Sequence, residues 1–176
     1  ATSSLVFLFL YHVSLGTFNY LLDVLGLPRM PWLTSTATAL PSVALPSIWL
    51  PLGFNTIVIL AAMQGIPAEL YEAARIDGAG GWHTFRHITF PMLSSTLFFL
   101  LVVGTIAAFQ TFTQVNILTR GGPVDSTNLV VFSIYREFYF NGQYGYASAQ
   151  ALMLFGIMLI LTFLQFTVVE RRVYYQ

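Results

Sequence analysis

The sequence predicts an all-α membrane protein, a bundle of transmembrane helices, and three observations carry that reading. The 176 residues are 56% hydrophobic and only 8% charged, whereas a soluble domain carries roughly 25% charged residues. All fourteen charges fall in four clusters: Asp23 with Arg29, Glu69 to Arg86, Arg120 to Glu137, and Glu170 to Arg172. Between them lie charge-free stretches at 1–22, 30–68, 87–119 and 138–169. A helix needs about 20 mostly apolar residues to cross the hydrocarbon core. The last three stretches are long enough, and spans are expected near 38–63, 91–118 and 146–169.

The first stretch is apolar only from about Leu5 to Leu15. It lacks the basic start and small-residue cleavage site of a signal peptide, and reads as the end, within 1–15, of a span that begins before residue 1. The expectation is therefore the C-terminal part of one transmembrane domain covering 1–176. Alternation puts the loop at 64–90 on the side of the C-terminal tail, opposite the loops at 16–37 and 119–145. Arg75, Arg86, Arg171 and Arg172 against Arg29, Arg120 and Arg136 favour a cytoplasmic 64–90 loop by the positive-inside rule.

Composition also excludes functions. Net charge is zero, so no basic surface exists for nucleic acid. Absence of Cys removes disulfides, thiolate metal sites and cysteine nucleophiles. The seven basic residues are all Arg, and a Walker-A loop needs its Lys. His83 and His87 have the i, i+4 spacing of a helical metal pair, but the Glu that H-E-x-x-H requires beside the first His is missing. No metal site is expected. Asp23, Asp125 and Glu137 lie outside the spans. Spans without ionisable groups argue against a proton relay or ion pump. A channel or membrane-embedded enzyme would need a charged filter ring, or a nucleophile and base within a span, and neither is present.

The loop at 64–90 is the most informative stretch. Pro67 suits a first helical position and Glu69 favours the positive helix start. Gly78 can take the left-handed conformation that ends a helix. A second short helix is expected from Trp82 to His87, before Pro91 opens the next span. Ala73-Ala74 lets another surface approach closely. Read from physics alone, this is either a docking element or an amphipathic loop lying on the membrane.

Polar residues inside the spans divide between two roles. At 100° per residue, Gln110, Thr111, Thr113 and Gln114 lie within about 160° of one helix face, flanked by Phe109 and Phe112. Uncharged hydrogen-bonding groups beside aromatic rings suit a polyol or sugar. The same groups also serve interhelical hydrogen bonding, the role expected for Thr113 and Asn116. Pro41, Pro46 and Pro51 interrupt the 38–63 span, and each frees a carbonyl that neighbours or water must satisfy. Ser47, Pro51, Phe54 and Asn55 are candidates for lining a path there, and Gln150 in the last span is another; packing is the competing role for each.

Glu72-Ala73-Ala74, three residues, Gly78, nine residues, Ile88, one residue, then Phe90-Pro91 resembles the EAA motif of bacterial ABC-importer permease subunits. Phe90 stands where that family usually has Leu. Gly16 to Leu22, Trp32-Leu33, Trp49, Gly53-Phe54, Thr119 to Pro123 and Gly145 to Ala147 resemble further landmarks of its carbohydrate-uptake branch. Ile134 to Glu137, Ala149-Gln150 and the tail Val169 to Gln176 look most like sn-glycerol-3-phosphate permease subunits. The resemblance implies a type I importer fold, no catalytic residue and no cofactor on this chain. It implies a second permease subunit of the same fold, a pair of cytoplasmic ATPase subunits carrying ATP and magnesium, an extracytoplasmic solute-binding protein, and a place among lipids of the bacterial inner membrane. Glu72, Ala73, Ala74, Asp77, Gly78, Ile88 and Pro91 would couple to the ATPase. The solute implied is glycerol-3-phosphate or a glycerophosphodiester, with a neutral sugar or oligosaccharide as the alternative.

Overall fold

The computed structural model describes residues 2–169, and the tail motif at 170–176 lies outside the described residues. The regular elements of the described residues are all helical, with no strand among them. In order, the helices are α1 (Thr2–Leu10), α2 (Thr17–Val24), α3 (Thr36–Gln64), α4 (Ala68–Ile76), α5 (Gly81–Thr84), α6 (Phe90–Met92), α7 (Ser94–Phe109), α8 (Thr113–Leu118), α9 (Val130–Tyr139) and α10 (Tyr144–Leu164). Phe85–Thr89 and Gln165–Val169 are π-helical turns. Three segments are long and apolar enough to cross a membrane: Thr36–Gln64, Ser94–Leu118 and Tyr144–Val168. Few of their side chains are buried, as expected of helices whose solvent is lipid. The chain divides into two compact units, one of residues 1–51 and 107–156, the other of 52–106 and 157–176.

In the first unit, Phe7, Tyr11, Val43, Val115, Leu118 and Phe132 form the buried core, with α1 packed along α8. Tyr11, Phe18 and Trp32 stack around one another with ring centroids 5.3–5.8 Å apart. The Tyr11 hydroxyl donates to the Ser42 carbonyl at 2.8 Å. That carbonyl is the one Pro46 leaves without its helical donor, four residues on. The aromatic side chain thus supplies what the proline removes, and α3 passes through Pro46 as helix. Tyr11→Phe should leave that buried acceptor empty, at about 1–3 kcal/mol. The check is the melting midpoint of the purified protein in detergent; a midpoint equal to that of the parent would mean water or another donor serves the carbonyl.

In the second unit, the Gln165 amide donates to Thr105 Oγ1 at 2.8 Å, and Phe98 meets Phe166 edge-on at 5.1 Å. These contacts fasten the π-turn after α10 to α7, one polar bond and one ring pair across an otherwise apolar interface.

The structure corrects the sequence reading in two places. The second short helix does not stop before Pro91: helix runs from Gly81 to Met92 through the π-turn. There the Phe90 amide reaches the Phe85 carbonyl, five residues back. This register shift lets a proline sit inside a helical run that α-spacing would break. The expected 91–118 span is likewise not one continuous helix. It is interrupted between Phe109 and Thr113, where Gln110 is a turn and Phe112 has φ −123° and ψ −54°. The cause is tertiary: Phe112 turns its ring onto Phe132 and Tyr135, centroids 6.2 and 5.0 Å away.

Candidate functional site

Two places gather the residues the sequence singled out. The first is the segment from Pro67 to Pro91. Pro67 is the N-cap of α4, one position earlier than expected, and Glu69 lies in the first turn. The helix ends in a full Schellman motif: Ala79 N–H donates to Ala74 O at 2.9 Å and Gly78 N–H to Arg75 O at 3.1 Å, with Gly78 at φ +74°. Left-handed backbone of this kind is what glycine adopts without cost. Gly80 then caps α5. Tyr71 Oη lies 3.1 Å from the buried Thr89 Oγ1, which pins α4 to the π-turn.

Around this frame, Glu72, Ala73, Asp77 and Gly78 are exposed, while Ala74, Ile88 and Pro91 are half-buried. Two large apolar side chains stand out from it, Ile76 at 87% and Trp82 at 74% exposure. Trp82 stacks on Phe85 at 5.7 Å. The His83 and His87 rings stack at 4.1 Å, and His87 Nδ1 is engaged with His83 O at 3.0 Å. The segment exposes the small residues Ala73 and Gly78 together with the large apolar side chains of Ile76 and Trp82.

The second place is the break in the α7–α8 segment. Gln110 is exposed, Thr111 and Gln114 are half-buried, and Thr111 Oγ1 leans back to Ala107 O at 3.4 Å. The helical-face argument for grouping these residues fails at the break, but the break itself brings them into one stretch. Unwound backbone at membrane depth is tolerated only inside protein or beside water, and discontinuous helices of this kind build transporter sites.

Other candidates are less available. Ser47 Oγ bonds to Val43 O at 3.1 Å within α3. Gln150 bonds to Ser133 Oγ at 3.3–3.4 Å, joining α9 to α10. Both side chains are hydrogen-bonded within the chain. Pro51 and Phe54 are exposed and Asn55 is half-buried, with no side-chain bond to Asn55 among the described residues.

Sequence reasoning passed over Asn19, which is 1% exposed. Its amide donates to Val13 O and Met30 O, and its oxygen accepts from Met30 N and Trp32 Nε1, all at 3.0–3.1 Å. It also passed over a cleft between α1, α8 and α9 that holds Arg120 and Arg136. At the surface, Asp23 in the last turn of α2 and Arg29 beyond it form a bidentate pair at 2.7–3.1 Å. The Arg29 guanidinium holds the Asp23 carboxyl below its usual range.

Residues 1–174 match the family model of binding-protein-dependent transport system inner membrane components. The chain belongs to that family. Among this family's curated members, the sn-glycerol-3-phosphate transport system permease protein UgpA of Brucella abortus is 39% identical over 176 residues, covering 99% of this chain and 60% of its own length. UgpA of Pectobacterium atrosepticum is 37% identical over 179 residues, again covering 60% of that relative. The chain thus spans about three-fifths of the curated relatives it matches. A bacterial alginate ABC transporter, solved with an alginate pentasaccharide-bound periplasmic protein, superposes with a TM-score of 0.87 at 26% identity, over 97% of this chain and 59% of that one. A second structure of a transporter importing the acidic polysaccharide alginate gives 0.85 at 27%. Family membership and the three apolar segments make this a multi-pass inner-membrane protein with the importer-permease fold.

Proposed function

We propose that the chain is part of a permease subunit of an ATP-driven importer, and that residues 67–91 dock it to a pair of ATPase subunits. The observation that carries this reading is the rigid exposed segment itself. Its Schellman turn and Tyr71–Thr89 tie fix α4 against the helix that continues through Met92 toward α7. A push on α4 is passed through the Tyr71–Thr89 tie to the helix that leads into α7, as a rigid-body switch requires. ATP and magnesium belong to the ATPase partners. A second permease subunit and an extracytoplasmic solute-binding protein complete the assembly.

The solute we favour is an anionic polyol, glycerol-3-phosphate or a related glycerophosphodiester. Its support is that the solutes named for the relatives, glycerol-3-phosphate and the acidic polysaccharide alginate, are both anionic. A neutral sugar is the second reading, favoured by the uncharged Gln110, Thr111 and Gln114 at the break. These three are assigned to the solute path, and the other path candidates to a lesser role.

The test replaces them by apolar groups of similar size, Gln110→Leu, Thr111→Val and Gln114→Leu, in vesicles holding the full importer. Each lost hydrogen bond is worth about 0.5–1.5 kcal/mol net, so uptake per assembled complex should fall by roughly 2- to 10-fold. Complex yield should hold. Normal uptake per complex in all three variants would refute the path assignment and leave packing as their role.

A further inference from the structure

The cleft between α1, α8 and α9 has a volume of about 640 Å³, and its polar lining is Asn116, Arg120, Arg136 and Asn141, beside Phe132 and Phe140. That size is ordinary for a small-molecule site; two guanidinium groups in it are not. Arg120 is exposed and makes no ion pair among the described residues. Arg136 donates from Nη1 to Asp125 Oδ1 at 2.6 Å and reaches Glu137 Oε1 at 4.0 Å. Glu137 is itself held by Asn141, whose amide donates to Oε2 at 2.7 Å.

The loop that sets this arrangement is built under strain. Arg120 and Val124 have φ of +52° and +48°, a region that L residues other than Asn and Asp avoid and that clusters at functional sites; Asp125 follows at +55°. Thr127, fully buried, bonds to Thr119 Oγ1 and Gly122 O at 2.7 Å and holds the loop closed. Gly121 passes so close to Phe132 that a Cβ would lie 2.7 Å from the ring. The outcome is one arginine without an ion pair among the described residues, and a second whose nearest partner is an exposed carboxylate on a strained loop, with Glu137 farther off at 4.0 Å.

We propose that this cleft is an anion vestibule, in which Arg120 and Arg136 receive the phosphate of an arriving solute and Asn116 bonds its hydroxyls. Asp125 is the internal anion that occupies Arg136 until a phosphate displaces it. Guanidinium forks pair with phosphate more strongly than any neutral donor. The cleft is joined to the break through α8: the Asn116 N–H donates to the carbonyl of Phe112, the residue just before that helix, at 2.9 Å. This inference rests on the importer reading. By the alternation of spans in the sequence, the vestibule's loop would face away from the ATPase, toward the binding protein. It also places the positive charge that a phosphate needs outside spans that contain none.

The experiment is calorimetric titration of the purified full-length importer with sn-glycerol-3-phosphate, with glycerol as the neutral control. Arg120→Gln should weaken phosphate-ester binding by about tenfold, while Arg120→Lys, which keeps the charge, should stay within roughly threefold of the parent. Asp125→Asn should tighten it by about threefold, because it removes the closer of the two carboxylates beside Arg136 and leaves only Glu137 at 4.0 Å; Asn tolerates the local backbone. A purely structural role for the Arg136–Asp125 pair gives no such gain. Equal affinity for the parent, Arg120→Gln and Asp125→Asn would overturn the proposal. So would an Arg120→Gln effect confined to association of the solute-binding protein, which would make the cleft a protein-docking surface. Phosphate-ester binding that follows the arginines in a complex without ATP-driven uptake would support the vestibule and contradict the importer reading.

Discussion

Gly78→Val should abolish solute-stimulated ATP hydrolysis by the assembled importer, an order of magnitude or more below the parent, while leaving insertion of the subunit in the membrane intact. Gly78 sits at φ +74° and a Cβ there would meet nothing within 4 Å. Crowding is therefore not the mechanism. An L residue in the left-handed region costs about 1–2 kcal/mol, and a β-branched one is a clear outlier there. The Schellman bonds from Ala79 to Ala74 and from Gly78 to Arg75 can form only with that backbone, so strain relief means loss of the turn joining α4 to α5. Substitutions should then rank by their tolerance of positive φ, Asn mildest, Ala intermediate and Val worst. ATPase stimulation measured across this series in vesicles checks it. Full stimulation in Gly78→Val would mean that the turn is not part of the coupling surface.

Asn19→Leu should cost more stability than any other single change at a polar position of the first unit. One buried side chain satisfies the Val13 carbonyl, both backbone groups of Met30 and the Trp32 indole. Leucine fills similar space and serves none of them. Stranded buried groups cost about 1–3 kcal/mol each, so a loss on the order of 3 kcal/mol or more is expected even after water reaches some of them. Asn19→Asp keeps the two acceptor bonds and loses the donor ones, and should fall between. Melting midpoints and complex yield in detergent read this out. A midpoint for Asn19→Leu equal to the parent's would show that the loop from Val13 to Trp32 is held by its aromatic stack alone.

Much of this was legible because charge and glycine carry local rules. Charges cannot sit in lipid, so the gaps between Arg29, Glu69, Arg86, Arg120 and Glu137 outline where apolar helices run. Gly78 announces a left-handed stop at the end of a run of good helix formers, and the structure puts φ there at +74°. The break at Gln110–Phe112 was not legible, because its neighbours on both sides have ordinary helical composition. The irregular backbone is imposed by Phe112 packing on Phe132 and Tyr135 from α9, a contact between distant positions. Pro91 misled for the opposite reason. Proline usually ends a helix, but the π-turn at Phe85–Thr89 absorbs it. Nothing in the sequence marks Asn19 as a hub; only the folded chain brings four hydrogen-bonding groups around it. Ser47 and Gln150 have a composition that suits path and packing alike, and their bonds to Val43 and Ser133 are not visible in the sequence.

The most direct measurement of the central claim is thiol cross-linking at Ile76. This segment contains no Cys, and Ile76 is 87% exposed at the end of α4, so Ile76→Cys introduces the segment's single, accessible thiol. In the assembled importer it should cross-link to a single-Cys ATPase subunit, with a yield that changes when ATP binds. It should also resist a membrane-impermeant maleimide added outside intact cells. Labelling from outside, with no cross-link to the ATPase in either nucleotide state, would contradict the coupling role of residues 67–91.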